Sequence, residues 1–283
     1  MRVVLLLLAA ASAAAADNLV TDPGAPFPTT IDMPRSTAMG GAHAAIASGN
    51  DALVVNPAGM SQNLRYHFEL DGAWDGRFPA QGVLASLVDT KSTPVGSGIL
   101  FSRWGSGQPA GRGEGWLLGF AYSYPAGNFL IGGESKYVRF HGPDGLTARW
   151  AQDIGLLAKR GSLSYALVVQ NIALKGIPLF PLTATAGIAL GSDTDWHIAF
   201  DYKADLSDLQ NVRHKAALGV EYLLEQTVAL RAGGTYDPTA KLGWISAGFA
   251  VLAELGSVQV SVRRRVQGGF DQVLEGGITI FLE

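Results

Sequence analysis

From about residue 64 to the end of the 283-residue chain, apolar and polar side chains alternate with a period of two. In one such segment the apolar Trp196, Ile198 and Phe200 alternate with His197 and Ala199. Successive side chains of a β-strand point to opposite faces of the sheet. The alternation therefore predicts strands that have one apolar and one polar face.

The length and number of these strands distinguish between two β architectures. Many segments reach the ~9–11 residues of a tilted transmembrane strand, whereas soluble strands average ~5–6 residues. We expect an all-β fold, a transmembrane antiparallel β-barrel of about 14 strands, and an even number suits a single-chain bacterial barrel. A soluble β-sandwich or solenoid is the alternative, because it also alternates. The strands are predicted at 64–74, 82–90, 95–104, 114–124, 128–140, 147–160, 162–172, 182–191, 194–204, 213–224, 226–236, 240–252, 254–266 and 271–282.

The composition favours the membrane barrel. Charged residues make up only 16% of the chain, below the usual ~25%, so an ordinary charged surface is missing. Aromatic side chains lie mostly near the ends of the predicted strands, which is typical of the girdles at the two membrane interfaces. They are Trp74, Trp104, Trp116, Tyr124, Tyr137, Trp150, Trp196, Tyr202, Tyr222, Tyr236 and Trp244.

The first 16 residues have the composition of a secretory signal peptide. Arg2 supplies a positive charge, residues 3–10 are apolar, and three alanines precede Asp17 as a cleavage site. An uncleaved anchor is the alternative. We expect three parts, a signal peptide (1–16), an N-terminal hatch segment (17–63) and a transmembrane β-barrel (64–283). This organisation predicts a bacterial outer-membrane protein, with outer-membrane lipid as a partner, after the signal peptide has been cleaved.

Residues 17–63 do not alternate. A proline-rich lead-in at 22–28 is followed by the small-residue stretch 36–48, which predicts one short helix, and then by Asn56-Pro57-Ala58-Gly59-Met60. The segment is too apolar for a disordered tail and too small to fold alone. We therefore expect it inside the barrel or against its periplasmic mouth.

Three motifs stand out in this segment: Ala38-Met39-Gly40-Gly41-Ala42, Ala47-Ser48-Gly49-Asn50-Asp51-Ala52 and Asn56-Pro57-Ala58-Gly59-Met60. Together they resemble the N-terminal signature of the FadL/TodX superfamily of outer-membrane channels for hydrophobic compounds, which PorV-type barrels share. The resemblance implies a fourteen-stranded barrel whose N-terminus forms a hatch in the lumen. The implied hatch residues are Gly40, Gly41, Asp51, Asn56, Pro57, Ala58, Gly59 and Met60. A simple turn before the first strand is the alternative for Asn56-Pro57-Ala58.

Two functions follow from the resemblance. The first is passive uptake of small hydrophobic compounds through a hatch-gated channel, with Leu53, Val54, Val55 and Met60 as an apolar lining for a small-molecule ligand. The second is a non-transport, PorV-like barrel that acts as a scaffold or carrier for a protein partner in secretion or surface assembly. The chain is shorter than the fatty-acid channels, its loops are shorter, and it has Leu282 where the family usually has a terminal aromatic residue.

Ionisable residues occupy the polar phase of the predicted strands. They are expected to face the lumen, because Arg or Lys at the lipid midplane costs ~2–4 kcal/mol. They either pair across a narrow lumen or line a pathway, and pairing is the favoured interpretation. Glycine pairs at 132–133 and 233–234 suggest a kink that opens the wall. The candidate lumen-facing residues are Glu69, Asp71, Glu134, Asp153, Asp195, Asp201, Lys215, Glu221, Arg231 and Arg263.

No motif in the sequence predicts an enzyme, a metal site or a cofactor. The chain has no cysteine, none of its five histidines has zinc-binding spacing, and no nucleophile elbow is present. A net charge of −3 gives no indication of nucleic-acid binding.

Overall fold

The computed structural model of the chain describes residues 32–75, 80–105, 114–142, 145–174, 180–266 and 272–282. In this part of the chain, fourteen antiparallel strands form one closed barrel in which sequence neighbours pair and β14 closes onto β1. The predicted fold is confirmed; the predicted signal peptide lies outside the described residues. The strands are β1 (Tyr66–Asp75), β2 (Ala80–Asp89), β3 (Gly96–Gly105), β4 (Glu114–Ala126), β5 (Phe129–Gly142), β6 (Gly145–Arg160), β7 (Leu163–Ile172), β8 (Thr183–Gly191), β9 (Trp196–Asp205), β10 (Arg213–Leu224), β11 (Val228–Asp237), β12 (Leu242–Ala253), β13 (Gly256–Arg265) and β14 (Gln272–Leu282).

The alternation in the sequence separates the two faces of the wall. In β3, Leu100 and Ser102 are buried in the interior, whereas Ile99 and Phe101 are exposed on the outside. The outer face carries large apolar side chains on all fourteen strands, and most of the buried ionisable groups lie on the inner face. Closure pairs the backbone without leaving an edge, so a lipid-facing apolar surface can surround a polar interior.

The two ends of the barrel differ. Tyr66 of β1 and Leu282 of β14 pair at one end, where β4–β5, β6–β7 and β12–β13 are joined by turns of two residues. We call this the short-turn end. At the opposite end, the loop end, residues 173–182 and 206–212 make longer connections. Outward aromatic residues cluster toward both ends, with Tyr124, Tyr165 and Tyr222 near the short turns and Trp116, Tyr137, Trp150 and Tyr236 near the loops.

Residues 32–63, which we call the lumenal segment, lie inside the barrel. They contain helix α1 (Pro34–Ala38), helix α2 (Asp51–Val55) and a 3-10 helix (Pro57–Gln62). Pro34 begins α1 and Pro57 begins the 3-10 helix. The first N–H groups of a helix have no partner within it, so the missing N–H of proline costs nothing there. No helix in the described part of the chain is long and apolar enough to cross a membrane.

The expected helix across residues 36–48 is wrong. Helix α1 ends at Ala38, and Gly40 and Gly41 follow with φ values of +68° and +83°. A right-handed helix cannot continue through this left-handed conformation, which glycine adopts without a steric penalty. The chain therefore turns, and residues 42–49 continue without helix to α2.

The expected opening of the wall at the glycine pairs is also wrong. Gly132 and Gly133 pair on both sides, with β4 and with β6, and Gly233 and Gly234 pair with β10 and β12. The ladders are continuous at these positions. The inward glycines allow close contact with the lumenal segment instead of a gap.

The separation of the two faces can be tested by comparing the same substitution, Leu→Arg, on the outward face of a strand and in an exposed loop. Leu218→Arg puts a charge on the outward face of β10, where Leu218 is exposed, and if this face contacts lipid we expect the free energy of unfolding to fall by ~2–4 kcal/mol. Leu209→Arg in the exposed 206–212 loop should change it by less than ~0.5 kcal/mol. Guanidinium unfolding in phospholipid vesicles measures both, and equal effects would contradict the assignment of the lipid-facing surface.

Candidate functional site

The lumenal segment contacts the barrel wall at inward-facing glycines. A Cβ on Gly132 would lie 2.3 Å from the backbone nitrogen of Ala58, and one on Gly233 would lie 2.3 Å from the carbonyl carbon of Met39. These separations are much shorter than van der Waals contact, so only glycine permits the two backbones to approach so closely. We call these wall positions the glycine belt, which consists of Gly98, Gly132, Gly155, Gly187, Gly219, Gly233 and Gly248.

The Asn56-Pro57-Ala58 stretch is buried against β5 and β6. Pro57 restricts Asn56 to an extended conformation, and the Asn56 side chain accepts a hydrogen bond from the Ala58 N–H at 3.2 Å. Its Nδ2 donates to the Ala44 carbonyl at 3.0 Å, while a Cβ on Gly155 would meet its Oδ1 at 2.0 Å. The stretch therefore joins two parts of the lumenal segment to each other and to the wall.

Residues 39–46 pack against small side chains on β7 to β10. Met39 and its neighbours contact wall alanines such as Ala166, Ala199 and Ala217. The N–H groups of His43 and Ala44 both donate to Asp201 Oδ2, each at 2.9 Å. One wall carboxylate therefore accepts two hydrogen bonds from buried backbone groups, which would otherwise be unsatisfied.

Arg35 joins α1 to the wall through a bidentate ion pair with Glu221. Arg35 Nη2 lies 2.7 Å from Glu221 Oε1, and Nε donates to Oε2 at 3.0 Å. Arg231 Nε donates to Oε2 at 2.6 Å, and Asp51 lies 3.5 Å from Arg35. The paired geometry stabilises charges that would be costly to bury separately.

Polar contacts extend this ion pair toward both sides of the lumen. Arg231 Nη1 donates to Gln259, whose Nε2 donates to Glu69 at 2.7 Å. On the other side, His197 Nδ1 lies 3.5 Å from Glu221 Oε1 and its Nε2 lies 3.3 Å from Asp193. Hydrogen bonds from His197 and Lys159 hold the pKa of Asp193, in the turn before β9, well below its usual range.

Large apolar side chains of β2 to β5 and of the connection between β7 and β8 form one buried cluster in the lumen. At the loop end, the ring centroids of Trp104 and Phe180 lie 5.6 Å apart. Toward the short-turn end, Leu53 and Met60 of the lumenal segment sit on Gly98, roughly 20 Å along β3 from Trp104. We call this set the apolar column; besides these four side chains it contains Leu84, Val88, Leu100, Leu117, Val138, Phe140 and Leu174.

A polar cluster borders the apolar column on β5, β6 and β7. Lys136 Nζ donates to Asp153 at 2.6 Å and to Asn171 at 3.0 Å. Gln170 Nε2 contacts Asp153 at 3.3 Å and donates to the Val54 carbonyl of α2 at 2.9 Å. The cluster therefore contributes a direct hydrogen bond between the wall and the helix that carries Leu53.

Several solved structures share this architecture. The structure described as the CymD monoaromatic hydrocarbon channel has a TM-score of 0.67 and 16% identity, over 89% of this chain and 97% of that chain. The Ralstonia pickettii toluene transporter TbuX has a TM-score of 0.67 and 13% identity, over 89% and 98%. A Pseudomonas aeruginosa FadL homologue has a TM-score of 0.67 and 11% identity, over 88% and 98%. The chain has the fold of the FadL/TodX channels.

The resemblance in the N-terminal motifs is thereby confirmed at the level of the fold. No family model matches the chain, and no curated protein matches it. CymD is described as a channel and TbuX as a transporter. In the described residues, no three His, Cys, Asp or Glu side chains form a group able to hold a metal ion.

The residues implied to form the hatch are mostly buried in the lumen. Gly59 packs on the Ala47 carbonyl, which a Cβ would approach to 2.0 Å. Gly41 is the exception, since it is exposed and an added Cβ would meet no atom within 4 Å. The buried ones are Gly40, Asp51, Asn56, Pro57, Ala58, Gly59 and Met60.

The candidate lumen-facing charges fall into three groups. Lys215 and Arg263 are partly buried on the inner face, and Arg263 donates to Asp32 at 3.1 Å. Asp195 is a wrong prediction, because β9 begins at Trp196 and Asp195 is exposed in the preceding turn. The fully buried members are Glu69, Asp71, Glu134, Asp153, Asp201, Glu221 and Arg231.

Sequence reasoning missed Arg35 and the glycine belt. Arg35 lies in a segment without periodicity, so no pattern connects it with Glu221, 186 residues away. The glycine belt could have been found in the sequence, because its glycines occupy the inward positions of the alternating pattern. In a lumen filled only by side chains, that many inward glycines would leave empty space.

The glycine belt predicts that one methyl group displaces the lumenal segment. Gly132→Ala should lower the free energy of unfolding by ~1–3 kcal/mol through overpacking and increase protease cleavage within residues 50–62. Gly276→Ala is the matched control, since its Cβ would meet only the Gln259 carbonyl at 3.8 Å. Thermal unfolding and limited proteolysis in detergent measure both, and equal behaviour of the two variants would contradict the contact.

The ion pair predicts that Glu221→Gln releases α1 from the wall. Two buried arginines then lose their shared carboxylate, at a cost of ~3–5 kcal/mol, so we expect larger and more frequent ion currents across planar bilayers. Asp237→Asn is the matched control, because Asp237 pairs with Arg213 of the wall and not with the lumenal segment. The role of Glu221 would be refuted if both variants conducted like the unmodified protein.

Proposed function

We propose that the chain is an outer-membrane channel for passive uptake of small hydrophobic compounds, in which the lumenal segment acts as the hatch. The apolar column carries this proposal, because it gives an apolar molecule a continuous set of partners from Trp104 and Phe180 to Leu53 and Met60. The descriptions of CymD as a monoaromatic hydrocarbon channel and of TbuX as a toluene transporter support the same class of ligand.

The arrangement of turns supports an orientation in the outer membrane. Barrels of this kind have short periplasmic turns and longer extracellular loops. We therefore assign the short-turn end to the periplasm and the loop end to the outside. A hydrophobic compound would then meet Trp104 and Phe180 first and reach Leu53 and Met60 last.

The apolar column is closed in this conformation. Leu53 is 1% exposed and Met60 is fully buried, so a ligand at this level needs the space that these side chains occupy. They come from α2 and the 3-10 helix, which are held to the wall by few polar contacts. Movement of residues 50–62 away from Gly98 would open the column toward the periplasm.

A reversible disulfide between the lumenal segment and the wall tests whether movement of residues 50–62 is required for uptake. Ser61 of the 3-10 helix and Ser123 of β4 are in hydroxyl contact, and the chain contains no native cysteine. Ser61→Cys with Ser123→Cys should therefore form one disulfide between hatch and wall. In liposomes, we expect oxidation of this variant to lower uptake of a fluorescent hydrophobic probe roughly tenfold, and reduction to restore it.

Each single cysteine variant serves as a control, since it cannot form the bond and should transport in both redox states. Equal uptake by the oxidised and reduced double variant would exclude the hatch, and uptake no faster than in empty liposomes would exclude the channel. The PorV-like scaffold stays the alternative. A stoichiometric partner recovered from native membranes, together with absent uptake, would support it.

A further inference from the structure

On the outward face of β3, β4 and β5, charged side chains occur only toward the loop end. They are Arg103 of β3, Glu114 of β4 and Arg139 of β5. The rest of this face is apolar, aromatic or small, including Ile99, Phe120 and Ile131. The charges therefore lie in two adjacent rows of the outward face, the two arginines in one row and Glu114 in the next.

Arg103 and Arg139 flank a tryptophan in register. Trp116 is the direct cross-strand neighbour of Arg103 on one side and of Arg139 on the other. Neighbouring strands are ~4.8 Å apart, so the two arginine backbones are separated by roughly 10 Å. Both side chains are exposed, and neither makes a hydrogen bond or ion pair within the described residues.

The next row toward the middle of the membrane is entirely apolar or aromatic. Phe101 pairs with Leu118, Leu118 with Tyr137, and Tyr137 with Trp150. The ring centroids of Trp116 and Tyr137 are 5.4 Å apart, and those of Tyr137 and Trp150 are 5.3 Å apart. The wall thus changes from apolar to cationic within one row, as it would at the boundary between acyl chains and headgroups.

We propose that Arg103, Trp116 and Arg139 form a binding site for the phosphorylated headgroup of an outer-leaflet glycolipid, lipopolysaccharide. A guanidinium group binds phosphate oxygens in a bidentate manner. Two guanidinium groups on either side of one indole can hold two phosphates of one headgroup, while the acyl chains lie on Phe101 and Leu118.

Several features favour a lipid over free phosphate. An inorganic anion would gain nothing from the apolar row directly below the arginines, whereas a lipid contacts both rows. The acidic Glu114 lies on the middle strand, β4, one row farther from the apolar surface than Trp116 and opposite His141, so the arginine row itself carries no acidic side chain. Choice of the outer-leaflet lipid rests on the orientation assigned under the proposed function.

Co-purification tests the site on the full-length protein. The unmodified protein, extracted from outer membranes in mild detergent, should retain lipopolysaccharide that native mass spectrometry detects. In Arg103→Gln with Arg139→Gln, we expect the retained amount to fall roughly tenfold or more, because each arginine near an anionic surface adds to lipid binding. Arg160→Gln is the matched control, since Arg160 is exposed at the short-turn end of β6 and should leave retention unchanged.

The outcomes separate this site from its alternatives. Equal retention by the unmodified and doubly substituted proteins would overturn the proposal, as would retention of glycerophospholipid alone. Binding of inorganic phosphate without lipopolysaccharide would also overturn it. A heat-dependent shift in gel mobility checks that both variants are folded. Hydrophobic-probe uptake by the double variant should stay normal, so failure of the lipid site and failure of the channel can be told apart.

Discussion

The interior of this protein depends on close contact between the lumenal segment and the backbone of the wall at the glycine belt. A fourteen-stranded barrel encloses more space than its own inward side chains can fill. An unfilled lumen would leave the buried Asp201 without the two N–H groups of His43 and Ala44, and Glu221 without Arg35, at a large cost. Glycines on seven strands let residues 32–63 lie close enough to fill that space and to satisfy those groups. The closed barrel and the lumenal segment therefore depend on each other, because each has buried polar and apolar groups whose partners lie in the other.

The wall divides its interior according to what the segment presents to it. On β2 to β5 the inward side chains include the large apolar residues of the apolar column, which pack with Leu53 and Met60. Along β7 to β10 several of them are small, including Ala166, Ala199 and Ala217, and these leave room for residues 39–46. On β10, β11 and β13 they are charged or amide-bearing, and they surround Arg35. Of these sectors, the apolar column suits a hydrophobic molecule best. The local chemistry therefore supports the same class of ligand as the fold, which is shared with hydrocarbon channels.

The strands could be predicted from the sequence because a wall with one apolar and one polar face requires a period of two. The lumenal segment could be predicted because its motifs resemble a known signature. Inward placement of Glu221 and Arg231 also follows from that period. Asp195 shows the limit, since periodicity cannot place the first residue of a strand to within one position. The partner of Glu221 could not be predicted, because Arg35 belongs to an aperiodic segment, and a contact over 186 residues depends on how the whole barrel closes.

The two halves of the lumenal segment are held by different forces. The first half is bound by directional contacts: Arg35 pairs with Glu221, Asp201 accepts two backbone N–H groups, and Ser246 donates to the Ala38 carbonyl. The second half rests mainly on apolar packing, with polar links from Asn50, Val54 and Ser61 to the wall. Apolar packing is non-directional and can be replaced by contacts with an apolar ligand, whereas a buried ion pair cannot. In the proposed channel, a hydrophobic compound that enters the apolar column would therefore compete with the second half alone, and the first half would keep the segment attached while the second half moves.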